Sequence, residues 1–455
     1  MSVIQDFIGK SARVNVEAAI AKARELEDFH AVLSFTEARA LERADAVDRG
    51  EITGKLAGVP FIAKDNFLTL GGTTTAASLF LENFESPLQA TAIEKLEAEG
   101  AILIGKSNLD AFAHGGSTEN SAFGPTKNAY NKERVAGGSS GGSAVAVALD
   151  IVPFTLGSDT GGSIRQPASF NGVIGVKPTY GTVSRYGVVA MASSTDTIGV
   201  FTQTSEDAEL VMSIMSGKDK KDMTTLPDFF VPTTNEASLK IGVIKESMTE
   251  DVDSEVRSAT QRYIEKLEQA GHTVEEVSLP LLKYALAIYY IVVPAEISSN
   301  LGRYDGVRYG KRAEASTLSE LYGKSRDEGF MTENKRRIMI GSYVLSSGFF
   351  DAYYLQAQKA RTLLINDFNK LFETYDVLIS PTAPTPAFKL GENTSDPVKM
   401  YLADVMTVPA SLAGLPAISV PAGKSEAGLP IGVQLIGQRR SDAQLLALAK
   451  SMEGK

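Results

Sequence analysis

The chain has 455 residues, a formal net charge of −10, no cysteine and three histidines. Without cysteine, disulfides, thiolate nucleophiles and cysteine-ligated zinc or iron–sulfur clusters are excluded. The acidic balance argues against this chain being the main surface that grips nucleic acid, which needs a basic footprint, but allows a place beside a subunit that does.

In chain order, Val16–Glu27 reads as an amphipathic helix. Thr36–Asp48 reads as a second, with Thr36 as N-cap and Gly50 near its end. Val59–Ala63 is a short apolar run of buried-strand type that leads into Lys64-Asp65-Asn66. Thr91–Glu99 is a helix closed by Gly100, and Ala101–Ile104 a strand. Lys106–Asn128 is rich in Gly, Ser and Asn and reads as a functional loop. Ser143–Leu149 suits a buried helix of small residues, and Thr204–Ser238 a surface connection. Leu239–Ile244, Asp253–Ala270 and His272–Leu279 read as strand, helix and strand, which predicts α/β architecture. Tyr284–Ile297 is apolar but short and interrupted by Pro294, so it belongs to a core rather than a membrane. Tyr353–Phe372 is a long helix, and Asp376–Ser380 a strand stopped by the prolines of PTAPTP. Ala417–Val420 and Ile431–Ile436 form a strand pair, and a final helix starts at Ser441 with a capping box to Gln444. The first residues, MSVIQDFIGKSARV, lack a signal-peptide pattern, so a cytoplasmic location is expected.

The chemistry concentrates between Val135 and Tyr180, where GGSSGGS and DTGGSIRQP flank an apolar run. Either cluster supplies candidate serine nucleophiles. A serine needs a base, usually histidine. Packing explains His30 and His272, and only His114, in the Gly/Ser loop, is a site candidate. Lysine is the alternative, provided that burial keeps it neutral. Lys64, at the end of an apolar run, meets that need, although a salt bridge is the commoner fate of such a residue. Gly161 and Gly162 would free backbone N–H groups just before Ser163. A helix starting near Ser163 would turn its positive end to developing negative charge. A phosphate-cradling reading of GGSSGGS is weak, because no lysine follows the last glycine of either cluster. With no HExxH and no histidine pair at helical spacing, no histidine-rich metal site is expected.

Lys64, GGSSGGS and TGGSIRQPASF together, with 24 residues from Ser139 to Ser163, resemble the amidase signature family. The resemblance implies a mixed central β-sheet covered by helices on both faces, as one domain over 1–455. Within it, a helical layer would span about 1–50 and the signature core about 56–200. It implies a Ser–Ser–Lys triad: Ser163 as nucleophile, Ser139 as bridging serine after a cis Gly138–Ser139 bond, and Lys64 as base. The oxyanion hole would come from the backbone of Thr160, Gly161, Gly162 and Ser163. STENSAFGPTKN, RYDGVRYG, KRRIMIGSYVLSSG and YLADVMTVPASLAGLPAISVP extend the likeness to the glutamine-hydrolysing subunits of tRNA-dependent amidotransferases. That implies Arg337 and Asp404 as clamps for the carboxylate and amino group of glutamine, with Tyr309 and Gly115 in the same pocket. It also implies two partner subunits in a heterotrimer. One would hold charged tRNA and use ATP and Mg²⁺ to convert Glu-tRNA(Gln) to Gln-tRNA(Gln), with no cofactor in this chain. The alternative is a stand-alone amidase of the same fold acting on another small amide. The chain departs from the family in NLDAFAHG, where Ala111 and His114 replace Glu and Met.

Overall fold

Eleven strands form one sheet in the computed structural model, which describes residues 2–234 and 237–454. In chain order they are β1 (Val32–Phe35), β2 (Pro60–Lys64), β3 (Ile102–Ser107), β4 (Phe154–Asp159), β5 (Ile174–Lys177), β6 (Thr197–Thr202), β7 (Lys240–Ile244), β8 (Thr273–Val277), β9 (Val377–Pro381), β10 (Ala417–Lys424) and β11 (Pro430–Gly437). Across the sheet the order is β1-β3-β2-β4-β6-β5-β10-β11-β9-β7-β8. β2 is parallel to β3 and β4, and β7 is parallel to β8 and β9. The strands between these two groups pair antiparallel.

The β7–helix–β8 unit shows why the sequence folds this way. Parallel neighbours need a long crossover. Helix Ser254–Gln269 supplies it and buries Val256, Ala259, Tyr263, Ile264 and Leu267, a stripe of helical period. Asp253 caps its start by accepting from the Glu255 N–H at 2.8 Å. Gly271, at φ 95°, turns the chain into β8.

β2 is buried along its whole length, so its alternate side chains serve two cores. Phe61 and Ala63 join Leu103, Phe154, Leu156 and Val200, under helices Thr91–Ala98, Ser205–Met215 and Asp442–Met452. Ile62 turns the other way, to Ile104, Ala146 and the helix Ala12–Glu25. By the same alternation Lys64 faces the layer that contains helix Gly141–Ala148. A further core lies between helices Leu282–Leu301 and Leu355–Leu371 and the residues Leu378, Ala417 and Ile436. Helices thus cover both faces of a mixed sheet, as expected.

Several local readings change. The span 204–238 is not merely a surface connection, although residues 235 and 236 lie outside the described ones. It holds helix Ser205–Met215, with Ala208, Val211, Met212 and Met215 buried and the Thr204 hydroxyl accepting from Asp207 N–H. Thr36 occupies the N-cap position but does not cap, because its hydroxyl donates to the Leu103 carbonyl at 2.7 Å. Ser441 likewise makes no capping bond, its hydroxyl donating to the Gln438 carbonyl at 2.8 Å. Pro294 does not break its segment: Leu282–Leu301 is one helix of 20 residues with the proline inside. Among the described residues no helix is long and apolar enough to cross a membrane.

Candidate active site

Lys64 ends β2 with its ammonium group fully buried. Its Nζ lies 2.8 Å from Ser139 Oγ, 3.0 Å from Ser158 Oγ and 3.3 Å from the Ser158 carbonyl. No carboxylate lies within ion-pair distance of it among the described residues. Burial therefore dominates, and it lowers the pKa from 10.5 to about 7, against the more distant Asp110, Asp159 and Asp196. At neutral pH a large share of this lysine is the free amine.

Ser139 stands at the approach to helix Gly141–Ala148, after a cis Gly138–Ser139 peptide. Its segment is tied down from three sides. Gly138 N–H donates to Gln166 Oε1 at 2.9 Å, Asp110 N–H to the Ser139 carbonyl at 3.2 Å, and Ser140 N–H to the Ser163 carbonyl at 3.2 Å. A Cβ on Gly138 would overlap the Asp110 carboxylate, so only glycine fits there. Asp110 is buried, and burial pushes its pKa up to about 6 even though Thr118 and Asn120 N–H groups donate to it at 2.9 and 3.0 Å.

Ser163 lies in the turn between β4 and helix Arg165–Asn171, and its hydroxyl makes no hydrogen bond among the described residues. The N–H groups of Gly161, Gly162 and Ser163 likewise donate to no protein acceptor among them. Gly162 has φ 157°, and a Cβ there would overlap Thr407. The expected helix end does not serve as a free positive pole. The Asp159 carboxylate already accepts from Ile164 N–H at 3.1 Å, and the helix starts only at Arg165. Arg165, fully buried, completes that bracket with Nη2 2.9 Å from Asp159 Oδ1 and Nη1 2.8 Å from the Thr407 carbonyl. What this turn leaves free to meet negative charge is its unpaired backbone N–H groups.

Beside this turn is a cavity lined by His114, Gly115, Gly116, Tyr290, Arg337 and Asp404. Arg337 comes from helix Thr332–Val344. Its Nε donates to Glu333 Oε1 at 2.8 Å, and its guanidinium lies over the rings of Tyr290 and Tyr401. Asp404 has one oxygen, Oδ1, buried without a hydrogen-bond partner among the described residues. Burial raises its pKa to about 7, with Arg337 opposing. Asp404 Oδ1 also sits 3.2 Å from the position a Cβ on Gly162 would take, which ties this cavity to the Ser163 turn.

The structure thus brings Lys64 and Ser139 into contact, sets Ser163 on the neighbouring turn, and places Gly115, Arg337 and Asp404 around one cavity. Tyr309 does not join that lining; its ring packs on Phe84 and Tyr304. Sequence reasoning missed Ser158, whose hydroxyl also accepts from Asn66 Nδ2 at 3.0 Å. It also missed Asp110, Gln166 and the Asp159–Arg165 pair. Among the described residues no group of His, Asp and Glu is arranged to hold a metal ion.

A buried amine on a serine, with a second serine among free backbone N–H groups, is machinery for attacking an amide. The chain belongs to the amidase family, whose model, described as Amidase, matches residues 15–446, and it is an enzyme of that family. It is 52% identical to the A subunit of glutamyl-tRNA(Gln) amidotransferase from Thermosynechococcus vestitus, over 100% of this chain and 98% of that one. Identity to the protein of the same name from Lactiplantibacillus plantarum is 49%, over 99% of this chain and 95% of the other. The crystal structure of the same amidotransferase component from Thermotoga maritima superposes with a TM-score of 0.83 at 41% identity, covering 100% of this chain and 94% of that one.

Proposed function

We propose that this chain is the glutamine-hydrolysing subunit of a tRNA-dependent amidotransferase, releasing ammonia for the conversion of Glu-tRNA(Gln) to Gln-tRNA(Gln). The observation that supports this most is the pairing of two features. One is a neutral-prone lysine on a serine, and the other is an adjacent cavity with a guanidinium and an unpartnered carboxylate oxygen. A zwitterionic amino acid satisfies both charges, the carboxylate on Arg337 and the ammonium on Asp404.

Hydrogen-bond capacity favours Lys64 as base. As a free amine it has two N–H bonds, and Ser158 offers it two acceptors, the carbonyl and the hydroxyl oxygen. The lone pair is then left for the Ser139 proton, 2.8 Å away. Ser139 in turn takes the proton of Ser163 as Ser163 Oγ attacks the side-chain amide carbon. The N–H groups of Gly161, Gly162 and Ser163 receive the oxyanion. Ammonia departs with a proton returned through the same serine, and water hydrolyses the acyl-enzyme to glutamate. ATP and Mg²⁺ belong to a partner subunit in this reading, as does most of the contact with charged tRNA. A net charge of −10 suits that division.

The test is covalent trapping. Parent protein incubated with labelled glutamine and quenched with acid should carry one glutamyl adduct by mass spectrometry, and Ser163→Ala none. An adduct of equal yield in Ser163→Ala would overturn the assignment of the nucleophile.

A further inference from the structure

His114 is buried, lines the cavity beside Arg337, and its Nε2 has no hydrogen-bond partner among the described residues. Its tautomer follows from the groups around its other nitrogen. Asn334 Oδ1 accepts from Met331 N–H at 3.1 Å, which fixes the orientation of the Asn334 amide. Asn334 Nδ2 is therefore the donor side, and it donates to the Ala111 carbonyl at 2.8 Å. Its other N–H meets His114 Nδ1 at 2.7 Å, so Nδ1 is the acceptor and the proton of a neutral ring sits on Nε2. The ring stays neutral because burial and the nearby Arg337 both disfavour a second proton. Asn334 and Arg337 are three residues apart on one helix and share a face. Among the described residues the cavity lining therefore holds one buried unpaired donor, His114 Nε2–H, near the guanidinium, and three buried unpaired acceptors, Asp404 Oδ1, Glu119 Oε2 and Asn393 Oδ1. An unpaired donor buried in such a site is costly until an acceptor arrives, so the site discriminates against ligands that bring none.

We propose that His114 Nε2–H is a second hydrogen-bond donor to the α-carboxylate of the substrate, alongside Arg337, and that it sharpens selection for amides that carry that carboxylate. This rests on the reading of Arg337 as the carboxylate clamp. His114 thus acts as a specificity-determining residue, with no part in proton transfer.

The experiment measures equilibrium binding by calorimetry in the full-length Ser163→Ala chain, which removes turnover. Two ligands are compared: glutamine, and 4-aminobutanamide, which keeps the ammonium and the side-chain amide but lacks the carboxylate. His114→Met should weaken glutamine binding roughly tenfold or more and leave 4-aminobutanamide unchanged. His114→Gln, which restores an N–H, should recover most of the loss. Equal weakening of both ligands would reduce His114 to a packing role, and unchanged glutamine binding would also overturn the proposal. If the His114-containing chain does not distinguish the two ligands at all, the Arg337 reading fails first. With ¹⁵N-labelled histidine, only three residues give signals. His114 should show a protonated Nε2 and a bare Nδ1, with the Nε2 signal shifting on addition of glutamine but not of the analogue.

Discussion

Lys64 ends β2, Lys106 stands one residue before the end of the adjacent parallel strand β3, and both are fully buried in opposite surroundings. In the register of β2 and β3, Lys106 stands beside Ala63, next to Lys64. Lys106 Nζ is 2.8 Å from Asp65 Oδ1, 2.7 Å from the Phe67 carbonyl and 3.2 Å from Thr74 Oγ1. Lys64 finds two hydroxyls and one carbonyl, and no carboxylate within bonding reach. Burial lowers both pKa values, but for Lys106 the Asp65 charge and hydrogen bond push back directly. For Lys64 only remote carboxylates do, and the value falls to about 7. The lesson is that burial alone does not make a base. Burial without a counter-ion leaves an amine able to serve as one, and burial with a counter-ion makes a fixed ion pair.

The largest effect separating the two comes from deletion. Lys64→Met should lower glutamine hydrolysis by about 10⁴-fold or more, while thermal unfolding shows stability equal to or above the parent. The sign follows from proton binding. Between pH 10.5 and about 7 the unfolded chain holds a proton on this lysine that the folded chain has lost. Folding is thus disfavoured progressively as pH falls through that window, and the penalty is complete below it. Near-parental turnover by Lys64→Met would remove Lys64 from the mechanism. Lys106→Met should do the reverse. It leaves Asp65 buried and unpaired, costing roughly 3–5 kcal/mol in denaturant unfolding, while turnover per folded molecule stays near the parental value. A loss of turnover like that of Lys64→Met would make the two lysines equivalent and break the comparison.

The smallest effect sharpens it most. In the parent, kcat/KM should rise with pH through a midpoint near 7, because the free amine of Lys64 and the ionised Asp404, each with a pKa of about 7, both gain with rising pH. Ser158→Asp gives Lys64 the carboxylate that Lys106 already has. The midpoint should then move up by about 1–2 pH units, with activity at neutral pH falling and alkaline activity partly kept. An unmoved midpoint would mean that another group sets the profile.

What could be read from the sequence divides along the same physical line. Lys64 was legible because an apolar run ended on it and no histidine offered itself as base. Its partner Ser158 was not, since that contact exists only because β4 pairs parallel with β2, through Ala63 and Leu156. Asp159 reads in sequence as part of a Gly/Ser turn. Its occupying the helix start, with bare N–H groups left on the turn before it, depends on Arg165 reaching Thr407 and Ser411 from the other side. The strand–helix–strand reading of 239–279 succeeds because each element there carries its own period and caps. Helix Ser205–Met215 has equally local signals, Thr204 before Asp207 and apolar residues at 208, 211, 212 and 215, but the polar run that follows overshadows them. Tyr309 packs against an aromatic cluster that no local pattern connects to it.

The position of the last hairpin has a consequence for how the protein is made. β10 and β11 leave the ribosome last among the described strands, yet they fill the middle of the sheet, between β5 and β9. Until they arrive, β5 and β9 present open edges, and Arg165 lacks its Gln434 partner. A nascent chain has by then emerged with Lys64, Ser139 and Ser163 all present but unassembled. Hydrolytic competence thus waits for this hairpin, and the interval before it is when exposed strand edges make the polypeptide most dependent on chaperones.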